Sequence, residues 1–329
     1  GCGGMDIGFI KAGFQIVWAN DFDADAQRVY SFNIGEIDPR DIRTVPTRDI
    51  PDCDIITAGF PCQPFSNAGK RKGVKDERGT LFEECMRVAE AKQPKVVVFE
   101  NVRGILSTRD VDGNKLIDNI EYKLKNLGVG YFVKHKLLKA SNYGVPQNRY
   151  RVFMVAIRKD LGKEFVFPSP IPKEGLEVGN LLDIPANVPN QVDWKLSPQA
   201  ANLVKHIPEG GSWKDVPYEE LPPRLKRIRD NIKRYRSPNF YRRYARHEIN
   251  GTITASAQPE NCGIIHPLED RRYSIREIAR IQSFDDSFVF FDETPSDITG
   301  MYKVIGNAVP PKLAKSLANS IREQVWGGK

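Results

Sequence analysis

Short apolar runs alternate with mixed, helix-like stretches from the first residues to about residue 160. Strand-length runs interleaved with helical periodicity predict an α/β fold, in which crossover helices connect the strands of a parallel sheet. The strand candidates are residues 14–20, 54–60, 95–101, 131–138 and 151–158. Between them, residues 80–92 and 116–127 place apolar side chains at helical spacing, so βαβ units are the natural reading.

Near Phe165 the texture turns Pro-rich and irregular, in residues 167–172 and again in 184–189. Proline fixes φ and withholds a ladder donor, so this texture marks a domain boundary. We expect a catalytic domain over residues 1–175, a smaller irregular domain over 176–300, and a segment, 301–329, that returns to the first. Within the second domain Leu221, Leu225, Ile228, Ile232 and Tyr235 share one helical face, and basic residues cover the rest. Tyr241, Arg242, Arg243, Tyr244 and Arg246 follow. Two readings stay open for this stretch: a surface for phosphates and bases, or a helix with a solvated basic face. Ser274 and Glu277 form a capping-box pair that opens a helix through Gln282. A last helix starts at proline after Val309, with Leu313, Leu317, Ile321 and Val325 on its apolar face.

Composition narrows the class. The 329 residues are 40% hydrophobic and 28% charged, a globular balance able to form a sizeable core. The net charge of +7 favours a polyanionic partner, since Lys and Arg displace counterions condensed on nucleic acid, but a basic balance alone does not identify one. The 5 cysteines are odd in number and form no CxxC pair, which points to an intracellular, reduced and metal-free protein. No run approaches the ~18 consecutive apolar residues of a membrane span, and no signal-peptide pattern opens the chain.

The sharpest chemical candidate lies in Ala-Gly-Phe-Pro-Cys-Gln-Pro-Phe-Ser, from Ala58 to Ser66. Cys62 follows a strand on a loop held by two prolines, at the sheet edge where ligands of parallel sheets bind. Lowered in pKa by basic neighbours or backbone N–H groups it is a nucleophile; on local grounds alone a buried, inert thiol outweighs that reading. The next strand ends in Glu100-Asn101-Val102, bringing a carboxyl group to the same edge, where it serves as an acid or as a plain cap or ion-pair partner. Alternation along the strand at 151–158 points Arg149 and Arg151 to one side, beside Glu100 or in a surface ion pair. Gly1-Cys-Gly-Gly4 opens a helix-like stretch, and Asp21 ends the first strand candidate. A Gly-rich turn and an acid after a strand fit NAD, a flavin or S-adenosylmethionine equally.

In order and identity these motifs resemble those of the 5-methylcytosine DNA methyltransferase family, in particular its compact bacterial restriction-modification members. The resemblance runs essentially end to end. Gly1-Cys2-Gly3-Gly4 resembles the family's glycine motif; Asn20-Asp21-Phe22 and Asp41-Ile42 resemble its ribose and adenine elements. The segment from Gly59 to Ser66 is similar to its nucleophile motif, Glu100 to Val102 to its acid motif, and Gln147-Asn-Arg-Tyr-Arg151 to its arginine motif. Arg276 to Gln282 and Gly306-Asn307-Ala308-Val-Pro310 resemble the last two.

The resemblance implies a Rossmann-like sheet with helices on both faces plus a target-recognition domain, S-adenosylmethionine as cofactor with S-adenosylhomocysteine as product, and double-stranded DNA as partner. It implies attack by Cys62 on carbon 6 of a flipped-out cytosine, Glu100 on ring nitrogen 3, Arg151 on the carbonyl oxygen and Arg149 holding the site together. Cofactor contacts would come from Gly1 to Gly4, Asp21, Phe22, Asp41, Ile42, Pro61, Asn307 and Ala308. DNA contacts would come from Ser66, Lys70, Arg71, Lys72 and Arg78 in a catalytic lid over 66–79, and from Thr254. A cytoplasmic monomer, working beside a cognate restriction endonuclease, is the family expectation. Members carry a strand and an aromatic residue ahead of the glycine motif; this chain begins at Gly1, which implies a truncated chain, a fragment or a segment supplied elsewhere. Asp21 stands where a glutamate is common, which keeps the charge and shortens the reach. Alternatives with the same scaffold are a transfer-RNA cytosine methyltransferase and a catalytically silent DNA-binding paralogue; an unrelated NAD-binding thiol enzyme leaves the basic second domain unexplained.

Overall fold

The apolar run at Val96–Phe99 is buried on both sides, and the sheet is built around it. The computed structural model describes residues 1–60, 80–110, 113–231, 240–260, 262–291 and 298–327. In chain order the elements are α1 (Gly4–Lys11), α2 (Ala24–Asn33), β1 (Ile55–Gly59), α3 (Thr80–Lys92), β2 (Val96–Val102), α4 (Leu116–Asn126), β3 (Tyr131–Lys139), β4 (Gln147–Asn148) and β5 (Tyr150–Arg158). After the Pro-rich stretch come α5 (Pro198–Val204), α6 (Pro223–Asp230), β6 (Asn250–Gly251), α7 (Ile275–Ile281), α8 (Ile298–Asn307) and α9 (Pro311–Trp326).

The main sheet runs β1-β2-β5-β3. Only β1 and β2 are parallel, joined through α3 as a βαβ unit; β5 runs antiparallel to both β2 and β3. The sheet is therefore mixed, not parallel throughout. An apolar run buried on both faces does not reveal strand direction, because both pairings bury the same side chains.

Alternate residues of the inner strands enter different cores. Val96, Val98, Phe153, Val155 and Ile157 pack against Phe9 of α1 and Leu313, Leu317 and Ile321 of α9. Val97, Phe99, Val152, Met154 and Ala156 meet Phe82 and Met86 of α3 and Ile117, Ile120 and Leu124 of α4. Helices thus cover both faces, as the α/β reading requires. Truncating a fully buried leucine such as Leu317 to alanine costs about 2–5 kcal/mol by lost transfer energy plus a cavity. At the edge, β3 exposes Lys134, His135 and Lys136, charge that discourages pairing with another sheet.

The expected strand at 14–20 is absent. Its side chains alternate between half-buried and exposed from Phe14 to Trp18, but the segment makes only an isolated bridge, Asn20 to Asp38. An extended segment becomes a strand only where a neighbour supplies a ladder of hydrogen bonds.

The caps form as the sequence predicts. Ser274 Oγ accepts from Glu277 N at 3.1 Å, and Glu277 Oε2 accepts from Ser274 N at 2.6 Å. Pro311 occupies the first turn of α9, where a missing N–H is harmless. The expected basic helix is short: α6 buries Leu225 and Ile228, and its continuation through Ile232 and Tyr235 lies outside the described residues. Tyr241 and Arg243 are buried, and Arg242, Arg243 and Arg246 are tied to Glu248, Asp270 and Glu209. These three guanidinium groups brace the fold, which favours the structural of the two readings for that stretch. Among the described residues no helix is long and apolar enough to cross a membrane.

Candidate active site

β1 and β2 deliver the site's first two pieces. Their parallel register sets Gly59 opposite Glu100, at the C-terminal ends of both strands. A Cβ on residue 59 would lie 3.2 Å from Glu100 Oε2, so glycine there leaves the carboxylate its room. Beyond Gly59 the chain is tethered: Asn101 Nδ2 donates to the Phe60 carbonyl at 2.9 Å. Phe60 packs edge-on against Phe99 with ring centres 5.5 Å apart. The exit of β1 toward Pro61 and Cys62 is fixed up to Phe60; Pro61, Cys62, Ser66, Lys70, Arg71, Lys72 and Arg78 themselves lie outside the described residues.

β5 supplies the third piece. In its antiparallel register with β2, Phe153 faces Glu100 and Arg151 faces Val102, so Arg151 and Glu100 share one side of the sheet. Arg151 Nε lies 2.8 Å from Glu100 Oε1, with both side chains 12% exposed. The N–H is not aimed down that line, so the contact is an ion pair rather than a formed hydrogen bond. Burial pushes the Glu100 carboxyl above its ordinary value, while the charges of Arg151 and Arg149 oppose the rise. Desolvation also pulls Arg151 down, and Glu100 counters it. A carboxyl raised by burial holds its proton more readily than a free one, which suits an acid.

Arg149 plays a different part. It is fully buried, and its Nη1 and Nη2 each donate at 2.8 Å, to the carbonyls of Ile253 and Gly306. Desolvation, then repulsion from Arg151, depresses its guanidinium. The side chain is a strut between the sheet and two segments from the far end of the sequence.

The candidate cofactor residues begin at the N-terminus of α1, where Gly3 is the cap and Gly4 the first helical residue. Gly3 has φ of 95°, and a Cβ there would sit 2.2 Å from Ile34 Cδ1; one on Gly4 would sit 2.2 Å from the Val309 carbonyl oxygen. Both glycines are demanded by close approach, of α2 on one side and the 306–310 segment on the other. The Gly1 nitrogen contacts the Asp21 carboxylate, so the glycine turn and the acid are adjacent. Asn20 Nδ2 donates to the carbonyls of Asp38 at 2.9 Å and Arg40 at 2.7 Å, lacing the Asp21-Phe22 corner to the segment carrying Asp41 and Ile42. Asp41 caps a short helical turn at Ile42–Thr44 and pairs with Arg43. Phe22 is 65% exposed, an aromatic face with no role in the core. Cys2 is the exception: its thiol is buried, donates to the Val304 carbonyl and is pushed up to about 12 by desolvation, leaving only its backbone for a ligand.

The 306–310 segment is where these parts meet. Asn307 is exposed and Ala308 buried. A Cβ on Gly306 would lie 2.4 Å from the Thr254 carbonyl oxygen, so the candidate DNA-side segment packs directly on the candidate cofactor segment. Thr254 is half-buried, with Oγ1 3.2 Å from Ser256 Oγ. A carboxylate at Asp21, an exposed aromatic face at Phe22 and a glycine turn are thus grouped around the start of α1. Reading the sequence alone missed the space that Gly59 leaves and the part that Gln147 and Gln282 play. Glycine directly before an apolar-strand terminus was the available signal for the first; the amides' role depends on contacts between residues far apart in the chain.

Comparison with known proteins identifies the family. Residues 1–323 match the model of the C-5 cytosine-specific DNA methylase family. The chain is 38% identical to the type II methyltransferase M.NgoFVII of Neisseria gonorrhoeae, over 98% of this chain and 84% of that one. It is 36% identical to the type II methyltransferase M.Eco47II of Escherichia coli, over 98% and 76%. The fold is similar to that of the Dnmt2 methyltransferase of S. pombe, with a TM-score of 0.69 at 20% identity, covering 98% of this chain and 96% of that one. The chain belongs to the C-5 cytosine-specific DNA methylase family and is a DNA (cytosine-5-)-methyltransferase of the type II restriction-modification kind.

Proposed function

We propose that this enzyme methylates carbon 5 of a cytosine turned out of duplex DNA, through a covalent bond to Cys62. The observation that carries the reading is the buried Glu100, paired at 2.8 Å with Arg151 and set opposite Gly59 on the strand that runs on to Cys62. Carbon 5 of cytosine is a poor nucleophile until the ring is activated. The Cys62 thiolate adds to carbon 6 while Glu100 donates to ring nitrogen 3, so the displaced electron pair enriches carbon 5. Arg151, on the same side of the sheet, holds the carbonyl oxygen; Arg149 fixes the frame around it. Carbon 5 then takes the methyl group, its proton passes to a base through water, and the electron pair of that C–H bond expels the sulfur from carbon 6, which regenerates the Cys62 thiolate.

S-adenosylmethionine supplies the electrophilic methyl group. Asp21 would accept from the ribose hydroxyls, Phe22, Asp41 and Ile42 would hold the adenine, and Gly1 to Gly4 would let the backbone approach the rest of the cofactor. Pro61, Asn307 and Ala308 would supply the remaining cofactor contacts. Ser66, Lys70, Arg71, Lys72 and Arg78 carry a lid over 66–79 onto the phosphates, and Thr254 meets DNA from a recognition domain within 176–300. Extrusion of the base costs a few kcal/mol, recovered from these backbone contacts. The enzyme acts as a monomer in the cytoplasm, beside a restriction endonuclease of the same specificity.

The test is trapping. Labelled S-adenosylmethionine and duplex DNA bearing 5-fluorocytosine should give a denaturation-resistant adduct, because fluorine cannot leave as a proton does. Cys62→Ser should abolish it. DNA binding without an adduct would overturn the covalent mechanism, and transfer to RNA in place of duplex DNA would overturn the substrate.

A further inference from the structure

Gln147 and Gln282 are fully buried, and neither belongs to the reacting groups. Their amides bond head to tail. Ile253 N donates to Gln147 Oε1 at 3.1 Å. Gln147 Nε2 donates to Gln282 Oε1, and at 3.4 Å to the Ile281 carbonyl. Gln282 Nε2 then donates to the carbonyls of Ile305 at 3.0 Å and Ala308 at 2.6 Å. Every amide hydrogen has an acceptor, and the direction is determined: a flipped Gln147 would set its NH2 against an N–H that can only donate. Arg149 closes the figure through the carbonyls of Ile253 and Gly306.

The Ile253 peptide is thereby held at its N–H by Gln147 and at its carbonyl by Arg149. Three carbonyls between residues 305 and 308 are held by Gln282 and Arg149. Adjoining these anchors are Thr254 and Asn307, assigned above to DNA and to the cofactor. Neutral amides suit the task, since they carry direction into a buried site without the desolvation cost of a charge.

We propose that the Gln147–Gln282 amide relay is a positioning device that holds the DNA-side segment at 253–254 and the cofactor-side segment at 305–308 in one register. Gln282, at the C-terminal cap of α7, is a positioning residue for both ligands while contacting neither. The inference rests on the functional reading of Thr254, Asn307 and Ala308.

Steady-state kinetics of the full chain with S-adenosylmethionine and duplex DNA test it. Gln282→Met should raise KM for both ligands about tenfold and leave kcat within about twofold, because two carbonyls and one amide lose their partners. Gln147→Met should do the same, and the double variant should be no worse than the weaker single one. A fall in kcat alone, a change in one KM only, or additive singles would overturn the relay. If the methionine variants do not fold, Gln147→Glu decides: its carboxyl still accepts from Ile253 N but donates to Gln282 only when protonated. Both KM values, relative to wild type, should then climb as pH rises through that titration; a flat ratio refutes the relay. Methyl transfer by the wild type is the control. A wild type without transfer refutes the functional reading, and the same two-sided shift is then required of duplex and S-adenosylhomocysteine dissociation constants.

Discussion

Gly59 and Glu100 face each other across the parallel β1–β2 pair, and a Cβ on residue 59 would stand 3.2 Å from the Glu100 carboxylate. Because Arg151 holds the other carboxylate oxygen, Glu100 cannot retreat freely. Gly59→Ala should lower kcat about tenfold, the scale of a small misplacement of a reacting group. Stability should change little, since residue 59 is exposed. Single-turnover methylation and urea unfolding of the same preparation check both halves; unchanged kcat would show that the carboxylate's position is not limiting.

The raised pKa of Glu100 makes a signed prediction. A carboxyl whose folded value exceeds its unfolded value binds more protons in the folded state between the two. Its contribution to stability is therefore greatest below the ordinary carboxylate range and is lost as pH rises through the folded value. Subtracting the unfolding free energy of Glu100→Gln from that of the wild type should give a difference that falls with rising pH and then levels off. A difference that rises with pH would mean that Arg151 outweighs burial. Activity should fall over the same window if the protonated form donates to ring nitrogen 3.

Phe22 separates binding from folding. At 65% exposure it contributes almost nothing to the core, so Phe22→Ala should shift stability by less than about 0.5 kcal/mol. KM for S-adenosylmethionine should rise about tenfold, the loss of one aromatic stack on a base. Calorimetric titration with S-adenosylhomocysteine measures it, and an unchanged affinity removes Phe22 from the pocket.

Gly4 does the reverse. An added Cβ would meet the Val309 carbonyl oxygen at 2.2 Å, backbone that cannot step aside as a side chain would. Gly4→Ala should cost at least about 2 kcal/mol by forcing α1 away from the 306–310 segment. A thermal midpoint equal to that of the wild type would show that the segment yields.

The amino-acid sequence alone determined the strands at 55–59, 96–102, 131–139 and 150–158 to within a residue or two, and the caps at Ser274 and Pro311. These rest on local chemistry: apolar period, side chains that reach their own backbone, and a ring that lacks an N–H. The ordered motifs also made the family legible. Tertiary structure decided the rest. The direction of β5 and the fate of residues 14–20 depend on which segment lies alongside, and hydrophobicity is the same either way. That Arg149 is a strut while Arg151 meets Glu100 follows from a one-residue break between β4 and β5 and from carbonyls a hundred residues away. The amide relay joins residues 147, 253, 282 and 305–308, and no local spacing encodes a contact that exists only once the chain has closed on itself.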